Sequence, residues 1–378
     1  MESVLIIMNH LRGGGAETML ASTLRLLEGQ PWKITLLSAD KAGAEALSRA
    51  LPWLDVRCFR DIYHSFALRR LFYAFPFLRR PIMALNWRRA SRVLGQGRYD
   101  VALSYLEGHS AQLHQGLLPC ARRHVSWVHT DFGKNHWSGR YFISEAAEKA
   151  FYRAMDTTVF VSEGAKNSFL GFLPLRGDVR VVHNYFDREA LLQKAQDSLS
   201  LAPKRCTLVA VGRLVEAKRF DRLLRVLARM KEEGVPCDLW LLGDGKKRPE
   251  LERLARSLGL REQVQFLGYQ LNPYPYMKAA HFLISTSDTE GYPMVLGEAL
   301  CLGLPVVATA VGGVPELLEG AGILVPPDEA ALCEACLRVA SDPSLRERLS
   351  ASALEASSRF RKEEYLRQFC AALTGEKG

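Results

Sequence analysis

Strand–helix alternation runs through both halves of this chain. It predicts an α/β protein of two doubly wound, Rossmann-like parallel sheets facing each other across a cleft. Two further observations agree. A length of 378 residues is long for one core and suits two domains. Gly13, Gly14 and Gly15 follow an apolar run at 4–8 and open a helical pattern over 16–27, the strand–loop–helix order of a ligand-binding sheet.

In the first half, short apolar runs at 4–8, 32–37, 100–104, 124–129, 157–161 and 179–183 read as buried strands. The glycines after the first let the backbone approach a ligand closely. They match neither G-x-G-x-x-G nor a Walker loop. Residues 62–94 turn helical, basic and aromatic. His129 leaves its strand at the carboxyl end, where open α/β sheets bind ligands, and Asp131 reads as a cap for the next segment. Residues 1–186 form the first expected domain and 187–204 a polar linker.

The second domain, 205–359, repeats the alternation with strands at 207–211, 237–242, 264–267, 282–284, 305–308 and 322–325. Residues 360–378 form a final amphipathic helix. The densest chemistry lies in Glu290-Gly-Tyr-Pro-Met-Val-Leu-Gly-Glu298. Pro293 suits a helix start, so the two glutamates bracket a strand-to-helix junction. The free amides around Met294, Val295 and Leu296 favour an anion such as a phosphate. Carboxylates beside that site suit sugar hydroxyls, and phosphate with hydroxyls means a nucleotide sugar. Gly212-Arg213 ends the first strand of this domain, and Lys218 comes five residues after the arginine. A guanidinium fork and an ammonium there neutralise a diphosphate. Gly243 and Tyr269 sit at neighbouring strand ends, near the expected base pocket. No Asp-x-Asp and no His/Asp/Glu set has metal-ligand spacing, so no metal or other cofactor is expected.

Through Gly13 to Glu17, Trp127 to His129, Asn184 to Asp187, Gly212-Arg213 with Lys218, and two glutamates separated by seven residues, the chain resembles the retaining glycosyltransferases of family 4. That resemblance implies the GT-B architecture, with 360–378 crossing back onto the first domain. It implies that Arg213, Lys218, Glu290 and His129 serve catalysis, with His129 beside the donor sugar. Gly14 and Gly15 then border the donor diphosphate; Glu290 and the amides of Gly291 and Tyr292 hold the sugar, and Glu298 holds the ribose. The donor becomes a nucleoside-diphosphate sugar, UDP-linked by expectation. The acceptor is a lipid-linked or saccharide hydroxyl, deprotonated by the leaving phosphate. The chain departs from the family at Tyr185, where the hinge usually has glycine, and at Arg219, where glycine usually comes after the lysine.

Hydrophobic content of 48% and charged content of 24% are those of a soluble globular protein. Scattered cysteines and the lack of a signal-like or spanning run suggest a cytoplasmic location. Cys333-x-x-Cys336 is a lone pair in a helical stretch and reads as structural thiols. Of the net charge of +9, the segment 51–98 carries +8, from ten arginines against two aspartates. Arginine pairs alternate there with Phe66, Phe72, Phe75, Phe77, Ile82, Met83, Leu85 and Trp87. This suits an anionic membrane surface on the inner face of the cell membrane, met through 57–98. A pI of 9.2 also permits a nucleic-acid-binding protein, but no recognition helix or RNA motif accompanies the charge, and no nucleic-acid partner is expected. The nearest rival enzyme is a GT-B sugar-nucleotide epimerase.

Overall fold

A computed structural model of the chain describes residues 2–11, 13–61, 66–95, 97–199 and 201–376, without the side chains of 66, 67, 69, 73 and 76. The chain divides into two compact units: 1–184 with 362–378, and 185–361.

The first unit is built on β1 (Glu2–Ile7), β2 (Trp32–Ser38), β3 (Asp55–Cys58), β4 (Tyr99–Ser104), β5 (Ala121–Val128), β6 (Thr157–Phe160) and β7 (Asp178–Val181). Their order is β3-β2-β1-β4-β5-β6-β7, and every pairing is parallel. Such a sheet is covered on both faces, which is why β1 reads Val4-Leu5-Ile6-Ile7 with no exposed side chain among them. The order reverses between β1 and β4, the crevice where doubly wound sheets bind ligands. The helix Lys362–Thr374 belongs to this unit. Its Phe369 ring lies 5.2 Å from that of Trp127 on β5, and Tyr365 Oη meets Thr23 Oγ1 at 2.7 Å.

The second unit holds β8 (Thr207–Val211), β9 (Asp238–Leu242), β10 (Val264–Gly268), β11 (Phe282–Ser285), β12 (Val306–Thr309) and β13 (Ile323–Val325). The order β10-β9-β8-β11-β12-β13 is again parallel and reverses between β8 and β11. The helix Phe220–Glu232 shows how the pattern writes the packing: Phe220, Leu223, Leu224, Leu227 and Met230 recur at helical spacing and all are buried. Cys333 and Cys336 are buried in the same core.

Three readings of the sequence change. The strand β3 pairs with the edge of β2 inside a stretch read as basic surface. The stretch 187–204 is not all linker, because Arg188–Lys194 is a helix of the second unit, capped by Asp187 Oδ1 on the Ala190 N–H at 3.0 Å. The basic segment is the two helices Phe66–Ala74 and Arg79–Leu94, and its apolar residues split. Phe72, Ile82 and Met83 form a small core cluster, whereas Leu71, Phe75, Phe77 and Leu85 are exposed.

Candidate active site

In the second unit, the reversal between β8 and β11 sets two loops side by side. The loop after β8 carries Gly212, Arg213 and Lys218; the loop after β11 carries Glu290 and runs into the helix Met294–Cys301. Arg213 is exposed and makes no ion pair among the described residues. Lys218 differs from expectation. Its Nζ lies 2.5 Å from Glu290 Oε1, which also accepts from Ser287 Oγ at 2.6 Å. The lysine is therefore a cation shared with the first glutamate, and its remaining donors are what a phosphate can use.

Backbone close packing holds Glu290. Gly312 has φ +52°, and a Cβ there would collide with the Glu290 carbonyl. On the β8 side Gly243, at φ +129°, lies against the Gly212 carbonyl in the same way. The ladder continues past the strands, with Gly212 N–H to Leu242 O at 2.9 Å and Gly243 N–H to Gly268 O at 2.7 Å. Gly212, Gly243 and Tyr269 thus share one end of the sheet, but Tyr269 comes after the outermost strand and is 68% exposed.

At the helix start Pro293 takes the capping position, with Met294 and Val295 half-buried behind it. The Leu296 N–H already donates to Pro293 O at 3.2 Å, and the Leu296 side chain is in the core. Of the three amides expected to face an anion, Leu296 is the one engaged. Gly291 and Tyr292 are buried, and the Tyr292 ring stacks on Phe186 at 6.4 Å. Phe186 also fills the space over Gly297, where any Cβ would collide with its ring. Glu298 is half-buried and accepts from Tyr274 Oη at 3.1 Å. Desolvation pushes its carboxyl up to about 7, against the opposing pull of the Tyr274 hydroxyl and of Lys194.

Sequence reasoning missed the bonds that join the two loops. Arg222, nearly buried, donates to Thr286 O at 3.0 Å and to Asp288 Oδ1 at 2.8 Å. Arg219 donates to Asp288 Oδ2 at 2.9 Å and to Asp221 at 3.0 Å. Arg219 itself stands at φ 49°, ψ 44°, a left-handed conformation that explains why glycine is usual at that place.

In the first unit, His129 comes directly after β5 and its backbone N–H donates to Glu107 Oε2 at 2.9 Å. Glu107 is wholly buried, and that burial pushes its carboxyl up while the His129 amide draws it down. Burial pushes the His129 imidazole down to about 4, and a bond to the Tyr105 carbonyl works the other way. Nε2 is buried and has no partner among the described residues. The ring is neutral at pH 7. Gly14 precedes the helix Gly15–Leu26 in extended conformation, but the Glu17 carboxylate lies over it, where a Cβ at Gly14 would collide. Asp131 does cap its turn, accepting from the Lys134 N–H at 3.3 Å, and it also holds Ser168.

Two parallel-sheet Rossmann-like units are the architecture of the GT-B glycosyltransferases. A family model described as "Glycosyltransferase Family 4" matches residues 13–190, and one described as "Glycosyl transferases group 1" matches 205–342. The chain belongs to these glycosyltransferases. It is 31% identical over 210 residues to the lipopolysaccharide core biosynthesis glycosyltransferase LpsD of Rhizobium meliloti, a match covering 54% of this chain and 59% of that protein. It is 26% identical, over 99% of this chain and all of the relative, to the N-acetylgalactosamine-N,N'-diacetylbacillosaminyl-diphospho-undecaprenol 4-alpha-N-acetylgalactosaminyltransferase of Campylobacter jejuni. Among solved structures, Anabaena Alr3699/HepE in complex with UDP is similar at a TM-score of 0.76 and 20% identity, over 99% of this chain and 100% of that one. The same protein has also been solved with UDP-glucose.

Proposed function

We propose that this protein moves a sugar from a UDP-sugar to a hydroxyl of a lipid-linked or saccharide acceptor, with retained anomeric configuration and without a metal ion. One observation carries the proposal: the exposed guanidinium of Arg213, the shared ammonium of Lys218 and the helix start at Met294 lie on adjacent loops at the reversal of the second sheet. Together they supply the positive field a departing diphosphate needs. The UDP preference is supported by the UDP and UDP-glucose complexes of the HepE protein. The acceptor class is supported by the lipopolysaccharide and diphospho-undecaprenol named for the two relatives.

In the reaction the bond from the anomeric carbon to the phosphate oxygen breaks, and the acceptor oxygen bonds to that carbon from the same face. The acceptor proton passes to the leaving phosphate. Arg213 and Lys218 take up the charge that develops on the diphosphate, Glu298 receives ribose hydroxyls, and Glu290 receives hydroxyls of the sugar. Catalysis is then positioning and charge stabilisation, with no protein nucleophile. The face with exposed Phe75 and Phe77 and with exposed Arg70, Arg80, Arg88 and Arg92 meets an anionic leaflet on the cytoplasmic side, where a lipid-linked acceptor is presented.

The test is thermal stabilisation by a panel of UDP-, GDP- and ADP-sugars, and then transfer to undecaprenyl-diphosphate glycans. A UDP-sugar is expected to raise Tm and to be consumed only with acceptor present. Stabilisation by GDP- or ADP-sugars alone overturns the UDP assignment. Conversion of the donor sugar without any acceptor identifies an epimerase instead.

A further inference from the structure

We infer that Asp288 is a positioning residue for the Lys218–Glu290 pair, acting through Arg219 and Arg222. Two short segments face each other across the reversal of the second sheet, 217–219 after β8 and 286–288 after β11. Asp288 N–H donates to Ala217 O at 2.9 Å, and Thr286 Oγ1 reaches the carbonyls of Lys218 and Arg219, each at 2.9 Å. The side chains close the frame. One carboxylate oxygen of Asp288 takes Arg219 and the other takes Arg222, which also holds the Thr286 carbonyl. Lys218 lies in the middle of the first segment, and Glu290 is two residues beyond the end of the second.

The backbone of Arg219 makes this frame consequential. A left-handed conformation is unfavourable for a residue with a Cβ, by about 1–2 kcal/mol. Arg219 adopts it and directs its guanidinium onto Asp288 and Asp221. With Asp288 neutralised, the conformation loses one of its two carboxylate partners, and the neighbouring Lys218 loses the constraint on its direction. Charge and geometry are coupled at this point: desolvation draws the Asp288 carboxyl up, but its bonds to the two arginines hold it below the ordinary range.

The inference rests on the proposed role of Lys218 at the leaving diphosphate, and its test separates the two. In the full chain without ligand, the 15N signal of the Lys218 ammonium, held by Glu290, should be protected from exchange, and Asp288→Asn should abolish that protection. With inorganic pyrophosphate as the probe, Asp288→Asn should weaken binding about tenfold, the low end of losing a hydrogen bond to a charged group. In a Lys218→Ala background the same substitution should change binding less than about twofold, since an effect transmitted through one residue vanishes with it. Asp288→Glu, which keeps the charge, should recover part of the loss. An undiminished ammonium signal in Asp288→Asn overturns the inference, as does an equal loss with and without Lys218. If wild type binds no pyrophosphate, the diphosphate reading fails, and the ammonium signal alone decides the frame.

Discussion

Glu298 stands where a change of charge has two readable effects. Its carboxyl, bonded to Tyr274 and raised to about 7, is only partly ionised near neutrality. Glu298→Ala is expected to raise the donor KM with the fold intact, since a hydrogen bond to a charged group contributes about 1.5–3 kcal/mol. Wild-type kinetics in a folded variant would remove Glu298 from the site. Donor affinity should rise between pH 6 and pH 8, as the carboxylate that accepts hydroxyls becomes populated. Stability runs the other way. The folded carboxyl lies above the ordinary value of about 4.3, so its contribution is complete below that pH and is lost as pH rises through about 7. Denaturant unfolding of wild type against Glu298→Gln at pH 5 and pH 8 should show that difference, and parallel curves would refute it. The places of Glu290, Glu298, Arg213 and Lys218 at strand ends and a helix start were legible in the sequence because such junctions announce themselves locally. Arg222 with Asp288, 66 residues apart, and Tyr274 with Glu298, 24 apart, were not, because nothing local marks a bond that only the folded sheet creates.

At the scale of elements, buried strands were legible because parallel sheets demand continuous apolar runs, whereas β3 was not. Asp55-Val-Arg-Cys58 is an edge strand only partly covered, so no apolar run marks it. The helix Arg188–Lys194 carried its signal in Asp187, an N-cap residue, but that aspartate was read as part of a hinge. The helices Phe66–Ala74 and Arg79–Leu94 show both outcomes within one segment. Phe72 packs inward under Arg79, whose guanidinium lies 5.4 Å from the ring centre, while Phe77 is 75% exposed. Periodicity could not sort them, because a short 3-10 turn at 76–78 resets the phase between the two helices. The expectation is co-sedimentation with anionic vesicles at low salt, weakened by replacing Phe75 and Phe77 with serine and by added salt, each exposed arginine contributing about 1 kcal/mol. Equal binding to neutral and anionic vesicles, or none, would leave this face an ordinary solvated surface.

At the scale of the whole molecule, both units use one plan, a parallel sheet whose order reverses beside its first strand. The plan was legible twice over from alternation and length. What each copy does with it differs in charge. The second unit offers cations and a helix start; the first offers acceptors, a neutral imidazole and a carboxylate over its glycine loop. If the cations of the second unit do the work of a metal, activity is expected to survive EDTA, and Arg213→Ala and Lys218→Ala should each lose most turnover. Loss of activity on chelation, restored by manganese or magnesium, would overturn that assignment.

The helix Lys362–Thr374 packs into the first unit although the whole second unit precedes it in the chain. On the ribosome, therefore, the order of completion is inverted. The segment 185–361 can close its core as soon as it emerges, while Trp127, synthesised far earlier, waits for Phe369 to cover it. The strands of the first unit are made first, but its core lacks Tyr365 and Phe369 until the helix Lys362–Thr374 has been synthesised.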